Sequence, residues 1–477
     1  MPSETQSRLN PTPVTRDLPR VLGTSHATAV VVGTIIGSGI FLVPHEMMRA
    51  TGSSGMVYLA WIVGGILSLF GAMTYAELSA IMPYTGGEYV YLRRAYGDLT
   101  AFLYMWTWFA VAKPASIASV TMGLARTLAI FHSFAWLDHR VPNAPFPLDW
   151  GQIFAITIAW IITGLNYLGI KKAADFQLVF TWLKVILILV IAGFCFAALT
   201  GHWNNFATTF AHAHGGFSGF MIALIAALWA YDGWNDLTMV SGEVRNPERN
   251  LPIALIAGLF IVAALYIATN AAIQYILPAS AIAASPRPAV DALAAVTGPW
   301  GAALVTGAMA LSILVTLNGT TMSGARIPFA AARDRLFFRR MADIHPRFQS
   351  PSTALIVQAL LSTALLLAVG RFQQLFELAI FSEWLFYMIT STTIFYYRRK
   401  LPKTSTYHVW GYPVVPALFI AAAAVLLYYS YIENLKNSII GSIIILCGIP
   451  LYLLFRQHNR TQDQLHPTAD LDSNPLP

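Results

Sequence analysis

The chain has 477 residues, of which 56% are hydrophobic and 11% charged, and its mean hydropathy is +0.59. A water-soluble protein carries roughly a quarter charged residues, so this composition excludes an ordinary soluble enzyme and favours a chain that folds in lipid. The net charge of +7 raises the question of nucleic-acid binding. Because the basic residues fall in short segments between apolar stretches, we expect no nucleic-acid partner.

Apolar stretches long enough to cross a bilayer recur along the whole chain. A bilayer core requires about 20 apolar residues per helix, and twelve stretches meet this requirement, which predicts an all-α polytopic membrane protein with 12 transmembrane helices. The predicted spans are 27–50, 56–80, 99–130, 151–169, 176–200, 219–241, 252–277, 299–330, 352–369, 374–397, 413–432 and 438–455.

The lysines and arginines are distributed unequally between the two sides of this arrangement. Most of the 29 lie at the termini or in the even-numbered connections, including the basic stretch 326–347. Since positive residues stay on the cytoplasmic side, we expect a multi-pass protein of the cytoplasmic (inner) membrane with both termini in the cytoplasm.

The first span is punctuated by glycine. Gly37 and Gly39 flank Ser38 near its centre, and glycine leaves helical geometry most easily. Unwinding here would aim free N–H groups at the midplane, which is an anion site suited to a substrate carboxylate. Alternatively, Gly33 and Gly37 form a small-xxx-small pair that serves close helix packing.

The sixth span contains a second interruption, the stretch Trp229–Asn235, in which Asp232 precedes a glycine. Burying a carboxylate in mid-membrane costs much free energy unless the group has a function or a partner. Asp232 therefore either belongs to a functional site or has a structural role, as part of an ion pair or as a helix cap. Spans one and six are five helices apart, and paired interruptions of this kind indicate an inverted-repeat transporter with a midplane site.

Further charges lie deep within the predicted spans. Lys184 lies in the middle of span five. Its ammonium either has a functional role or reaches the membrane surface by snorkelling. Glu383 lies within span ten, either in the site or hydrogen-bonded to a neighbouring helix. Lys113 precedes Pro114, so it either marks a helix kink or forms an ion pair. Arg126 lies near the outer end of span three, where its side chain can snorkel to the membrane surface.

Several motifs in one order and spacing give the chain a family resemblance. They are Gly33–Phe41, Tyr75–Leu78, Gly86–Tyr89, Trp229–Asn235, Ser241–Asn250, Asn318–Gly319, Arg326, Arg333 and Ile344–Pro346. In these the chain resembles the L-type amino acid transporters of the amino acid–polyamine–organocation superfamily, as a stand-alone prokaryotic member.

The resemblance implies a LeuT-type fold with a 5+5 inverted repeat, in which helices 1 and 6 are unwound at the midplane. The repeats would span 25–200 and 215–400, followed by helices 11 and 12 at 410–456. The segments 1–24 and 457–477 would be cytoplasmic tails.

The resemblance also implies how substrate binds. The substrate carboxylate would rest on the backbone of Gly37, Ser38 and Gly39, and Asn235 belongs to the same candidate binding set. The Asp232 position carries aspartate in the branch that accepts cationic as well as neutral amino acids.

The amino group of the substrate would meet carbonyl oxygens near Ile35, Trp229 and Ala230, with Trp229 as an outer gate. Lys184 matches a lysine that stands where sodium-coupled relatives bind sodium, which implies sodium-independent transport. Glu383 matches a position that lines the distal pocket, and two carboxylates there would favour cationic side chains; broad neutral specificity is the alternative.

Together these features predict a transporter, rather than an enzyme, that moves neutral and cationic L-amino acids by alternating access. We expect an exchanger; a proton-coupled symporter and an amino acid sensor without turnover are alternatives. No cofactor or metal site is expected. The loop around 132–150 lacks cysteine, so no disulfide-linked heavy chain is expected, and the lipid-embedded protein would be a monomer or weak homo-oligomer.

Overall fold

The computed structural model describes residues 17–144, 147–369, 372–400, 406–433 and 435–465. In these ranges the backbone is mainly α-helical, with three isolated β-bridges and no named strand. The helices are α1 (Thr24–Ile35), α2 (Gly39–Thr51), α3 (Ser54–Ile81), α4 (Glu88–Tyr96), α5 (Asp98–Thr107), α6 (Lys113–Ala129), α7 (Trp150–Tyr167), α8 (Ile170–Ala197), α9 (Gly216–Ala230), α10 (Asp236–Met239), α11 (Pro247–Ile276), α12 (Ala279–Ala284), α13 (Pro288–Thr297), α14 (Pro299–Gly324), α15 (Arg326–Arg333), α16 (Ser352–Val369), α17 (Phe372–Lys400), α18 (Val414–Glu433) and α19 (Leu435–Leu465).

Several helices are long and apolar enough to cross a bilayer. In the part of the chain that the structure describes there are six, or seven if α1 and α2, which meet at 42°, form one broken span. They are α3, α8, α11, α14 continued by α15, α18 and α19. The expectation of a multi-pass, all-α membrane protein is thus confirmed, whereas the total of twelve spans stays a prediction.

Three elements differ in detail from the predicted spans. Span three is divided into α5, a π-helical turn (Trp108–Ala112) and α6, because Pro114 lacks the N–H that a regular α-helix would use at this point. Span six is divided into α9 and α10. Helix α19 runs on to Leu465, past the predicted start of a tail at residue 457.

Helix α1 lies at the centre of the bundle. It packs against α8, α11 and α14, while its continuation α2 packs against α9. A Cβ on Gly33 would lie 2.3 Å from Gln177 Nε2 and 2.4 Å from Thr181 Oγ1, so only glycine permits this approach to α8. At Gly33, glycine therefore serves close packing of α1 against α8, which is one of the two alternatives that the sequence left open.

One end of the bundle, which we call the basic end because it carries the basic stretch 326–347, is closed by a buried ion pair and by backbone pairing. Arg326 donates to both carboxylate oxygens of Glu243 at 2.9 and 3.2 Å, and neither side chain is exposed. The N–H groups of Val21 and Leu22 donate to the carbonyl of Glu243 at 2.9 and 3.0 Å. The segment that precedes α1 is thereby paired with the turn that follows α10.

Candidate functional site

The first helix break lies between α1 and α2. Helix α1 ends at Ile35, Ile36 is extended with ψ 94°, and α2 begins at Gly39 with Ser38 as its N-cap. The first N–H groups of a helix have no acceptor within it. The amides around Gly37–Gly39 are therefore available to an anion, and the helix dipole favours negative charge at the same place.

The carbonyl groups that this break frees are satisfied by side chains from two other helices. The ammonium of Lys184 on α8 donates to the carbonyls of Gly33 and Ile36 at 2.7 Å each. From α14, Ser312 donates to Ile36 O at 2.7 Å and Thr316 donates to Gly33 O at 3.2 Å. Lys184 is fully buried, so its side chain holds the break and does not snorkel.

The second break lies between α9 and α10. Helix α9 ends at Ala230, and the turn that follows contains Gly233 with φ +106° before α10 begins at Asp236. That left-handed backbone favours glycine. A Cβ there would also lie 3.3 Å from the backbone of Thr34, so the two breaks pass each other at van der Waals distance.

A polar chain runs from the second break toward α4. The hydroxyl of Tyr387 donates to Asp232 Oδ1 at 2.9 Å and lies 3.0 Å from Asn235 Oδ1. The amide of Asn235 donates to Glu88 Oε1 at 2.8 Å. Asn235 and Glu88 are buried, so these contacts satisfy groups that could not remain unpaired in the interior.

Charged groups surround the same break. Lys113, at the start of α6, lies 2.5 Å from Asp236 Oδ1, and both side chains are buried. Asp232 and Glu383 both line the cavity beside this break. The sequence left open whether Lys113 marks a helix distortion or forms an ion pair. In the structure it does both, since it directly follows the π-helical turn and pairs with Asp236.

One hydroxyl joins the two breaks. Tyr266 on α11 is buried, and its hydroxyl lies 2.7 Å from Ala230 O and 3.2 Å from Ile35 O. A carbonyl oxygen accepts two hydrogen bonds. Each of these carbonyls thus keeps a lone pair for an incoming ammonium.

The two breaks enclose a cavity of about 130 Å³. All nine residues of the predicted substrate set line it: Ile35, Gly37, Ser38, Gly39, Trp229, Ala230, Asp232, Asn235 and Glu383. Lys184 lies outside this lining, behind the backbone of the first break. The cavity continues along α6 past Ser116 and Ser119 to Gly123.

Several lining residues were not among the sequence candidates. Asp236 offered a signal, because it is a second carboxylate inside the predicted span six. Thr316 and Tyr387 offered none, since hydroxyl residues are common in membrane helices and their position facing a break depends on tertiary packing. Glu88 lies outside the predicted spans and reaches the site through Asn235.

Comparison with known proteins identifies the family. The family model described as amino acid permease matches residues 22–450. The chain belongs to this family. It is an L-type member of the amino acid–polyamine–organocation superfamily, as the sequence motifs predicted.

The chain is similar over most of its length to characterised relatives. It is 32% identical to the serine/threonine exchanger SteT of Bacillus subtilis, covering 91% of this chain and 96% of the relative. It is 30% identical to the human b(0,+)-type amino acid transporter 1, covering 93% and 89% respectively. It is 30% identical to the human cystine/glutamate transporter, covering 90% and 83%. The family and these relatives are amino acid transporters, so amino acid transport across a membrane is the activity that the chain's membership indicates.

Proposed function

We propose that the protein is a sodium-independent exchanger of neutral and cationic L-amino acids that works by alternating access. It would lie in the cytoplasmic membrane with both termini inside and twelve spans in a 5+5 inverted repeat. The observation that carries the proposal is the single cavity between two helix breaks of opposite chemistry. The N–H groups at the start of α2 suit a carboxylate, and the carbonyls and carboxyls near Ala230 suit an ammonium.

Lys184 supports sodium independence. Carbonyl oxygens are the ligands that a hard cation prefers, and the ammonium occupies those of Gly33 and Ile36. A second positive charge beside a buried ammonium would be repelled in this low-dielectric interior. We therefore assign Lys184 the coupling role that a bound cation would otherwise have.

The closed basic end supports alternating access. The buried Glu243–Arg326 pair joins the turn after α10 to α15 and lies outside the cavity lining, whereas Ser116, Ser119 and Gly123 of α6 belong to that lining. If the basic end is cytoplasmic, this conformation is closed toward the cytoplasm, and the half-buried Trp229 lies in the lining where an outer gate would act.

Exchange is proposed because one relative is a serine/threonine exchanger. Proton-coupled symport is the second candidate, favoured by the Asp232 and Glu383 carboxyls in the cavity lining, because a carboxyl group can bind and release a proton. The two differ in whether the empty carrier can reorient.

Uptake of radiolabelled amino acids into proteoliposomes tests the proposal. We expect uptake that requires internal amino acid and is unchanged when sodium is replaced by choline. A panel of serine, threonine, alanine, lysine and arginine as competitors identifies the substrates. Uptake into empty vesicles driven by an inward proton gradient would support symport, and the absence of uptake for every amino acid would overturn the proposal.

A variant pair tests the first break as the carboxylate site. A Cβ on Gly39 would lie 3.4 Å from Ala230 Cβ and 3.5 Å from Trp229, so the γ-methyls of Gly39→Val would enter the cavity and abolish binding. Gly307→Val is the matched control, because the exposed Gly307 on α14 has open space around its Cβ. Unchanged uptake by folded Gly39→Val would refute the site.

A further inference from the structure

Three buried carboxyl groups lie outside the cavity lining in the described part of the chain, and they differ in their partners. Glu77 lies 2.6 Å from a guanidinium nitrogen of Arg398, and Glu243 lies 2.9 Å from one of Arg326. Glu88, whose surface is fully buried, forms no ion pair with any described residue. Burying a carboxylate without a cation costs much free energy, so Glu88 is the member of this set whose negative charge is least stabilised.

The turn before α4 brings Glu88 against α10. The N–H of Gly86 donates to the carbonyl of the last residue of α10 at 2.9 Å. Gly87 has φ +51°, and a Cβ on it would lie 2.8 Å from the backbone of Thr238. Both the left-handed backbone and the close approach favour glycine. Because Glu88 is the next residue, its side chain reaches Asn235, the residue before α10.

Neutral donors hold the Glu88 carboxyl group. Asn235 Nδ2 donates to its Oε1 at 2.8 Å, and Thr390 Oγ1 donates to its Oε2 at 3.2 Å. An ionised carboxylate has acceptor atoms only, so it requires the NH₂ end of the Asn235 amide. The carbonyl end, Oδ1, is then turned toward the hydroxyl of Tyr387 at 3.0 Å. Ionised Glu88 thus fixes the orientation of the Asn235 amide.

A proton on Glu88 favours the opposite orientation. The Tyr387 hydroxyl has one hydrogen and faces two acceptors, Asn235 Oδ1 at 3.0 Å and Asp232 Oδ1 at 2.9 Å. Protonated Glu88 is a donor, so it can donate to Asn235 Oδ1 once the amide has rotated by half a turn. Asn235 Nδ2 then donates to the Tyr387 oxygen, and the Tyr387 hydrogen is left for Asp232. Rotation therefore removes the competition for that hydrogen.

The titratable and charged groups around Glu88 leave its proton free to come and go. They are Tyr75 on α3, Tyr91 on α4, Tyr104 on α5, Lys113 on α6, Asp236 on α10, Arg326 and Arg333 on α15, and Tyr387 on α17. Phenols are neutral at physiological pH. Lys113 is paired with Asp236, and both arginines are paired with carboxylates. Burial raises the pKa of Glu88 to about 7, although its hydrogen bonds act in the opposite direction.

We propose that Glu88 is a positioning residue, which sets the orientation of the Asn235 amide at the substrate cavity by binding or releasing one proton. This inference rests on the proposed function, because Asn235 belongs to the proposed substrate set and lines the cavity. Ionised Glu88 turns the carbonyl oxygen of Asn235 toward Tyr387 and the cavity, and protonated Glu88 turns the NH₂ group there. An ammonium group requires acceptors, so the ionised form binds amino acids more tightly.

The test measures amino acid exchange by the full chain in proteoliposomes at equal internal and external pH. The half-saturating concentration of whichever neutral amino acid exchanges best is determined from about pH 5.5 to about pH 8.5, the range in which a carboxyl shifted by burial titrates. Because Glu88 gains its proton as the pH falls, we expect this concentration to rise by about 2- to 10-fold below pH 7, the effect of one hydrogen bond.

Glu88→Gln assigns the pH dependence, because an amide of the same shape has no proton to exchange in this range. We expect a half-saturating concentration that is independent of pH and close to the value of the wild type at low pH. Glu46→Gln is the control and should keep the profile of the wild type, since Glu46 is an exposed carboxylate on α2 outside the cavity lining. A wild-type profile in Glu88→Gln would overturn the proposal.

Thr390→Val tests the same assignment with Glu88 in place, and so does not depend on the folding of Glu88→Gln. Removing the donor to Oε2 destabilises the carboxylate, so the midpoint of the profile should move to higher pH by about one unit. Thr392→Val on the same helix is the control, because the Thr392 hydroxyl contacts that of Tyr96 instead. Its midpoint should equal that of the wild type.

Two results separate this inference from the proposed function. Exchange that continues with a half-saturating concentration independent of pH, or with the same midpoint in Thr390→Val as in the wild type, would overturn the role of Glu88 alone. Absence of exchange at every pH would remove the proposed function itself. A purely structural role of Glu88 predicts no shift of the midpoint.

Discussion

The two helix breaks present different chemical groups although they face the same cavity. The break after Ile35 contains no charged residue, and its freed carbonyls are held by a lysine and two hydroxyls from neighbouring helices. The break after Ala230 contains Asp232 and leads directly to Asp236, and it is held by contacts between side chains. Backbone chemistry dominates the first break and carboxylate chemistry the second.

This difference matches the two ends of an amino acid. Helix N-terminal amides bind a carboxylate without any protein charge, and a neutral glycine stretch leaves them uncovered. An ammonium is better held by carbonyl oxygens and carboxylates, which the second break supplies. This difference predicts that substitutions at the first break act by disturbing its backbone. Substitutions at the second break should act by leaving a buried charge without a partner.

The largest effect is expected from removing the ammonium that holds the first break. Lys184→Ala deletes two hydrogen bonds from a charged donor to buried carbonyls, each worth about 1.5–3 kcal/mol. Loss of about 3 kcal/mol corresponds to a factor of about 100, so we expect exchange to fall by at least about 100-fold. Initial rates of amino acid exchange in proteoliposomes measure this.

Lys171→Ala provides the control for this variant, because it removes an exposed lysine from the same helix, α8. It should exchange like the wild type. A Lys184→Ala protein that is fully active would show that the hydroxyls of Ser312 and Thr316 hold the break without the ammonium.

The second break should respond through unpaired charge. Asp236→Asn leaves the Lys113 ammonium buried without its carboxylate, and breaking a buried pair in this way costs about 3–5 kcal/mol. We expect a marked loss of thermal stability in detergent. Replacing both partners, as in Lys113→Met with Asp236→Leu, should recover most of it because no buried charge is left.

A surface pair supplies the comparison for this prediction. Asp98→Asn removes a carboxylate that lies 2.9 Å from Arg93 Nε, where both side chains are partly exposed. Such pairs contribute about 0–1 kcal/mol, so its melting temperature should stay close to that of the wild type. An equally small effect of Asp236→Asn would mean that the second break is not held by charge.

Sequence reasoning found the breaks but not the groups that hold them. Glycine at 37 and 39 and Asp232 beside Gly233 carry local signals, because glycine within an apolar span and charge in mid-membrane are rare and costly. All nine predicted lining residues come from such segments or from the family resemblance. Their assignment to substrate remains a prediction.

The supporting residues carry no comparable local signal. Ser312, Tyr266 and Tyr387 are ordinary members of apolar helices, and only the packing of α11, α14 and α17 against the breaks gives them a role. The π-helical turn before Lys113 was likewise invisible, since Pro114 predicts a distortion but not its form.

Glycines within the first break should separate packing from binding. A Cβ on Gly33 meets Gln177 and Thr181 at 2.3 and 2.4 Å, whereas one on Gly37 meets only Thr316 at 3.6 Å. Overpacking costs about 1–3 kcal/mol, so Gly33→Ala should lower the melting temperature. Gly37→Ala should melt like the wild type and weaken amino acid binding, measured as a higher half-saturating concentration for exchange. The opposite pattern would place the binding backbone at Gly33 instead of at Gly37.

The smallest effect is expected at the one side chain shared by both breaks. Tyr266→Phe keeps the buried ring and removes the hydroxyl that contacts the carbonyls of Ile35 and Ala230. A neutral hydrogen bond contributes about 0.5–1.5 kcal/mol, which corresponds to a change of about 2- to 10-fold in half-saturating substrate concentration. Tyr275→Phe on the same helix, whose ring packs against Trp203, is the control. Because the lost hydroxyl touches carbonyls and no charge, a loss of thermal stability in Tyr266→Phe as large as that of Asp236→Asn would contradict the separation between backbone and carboxylate chemistry.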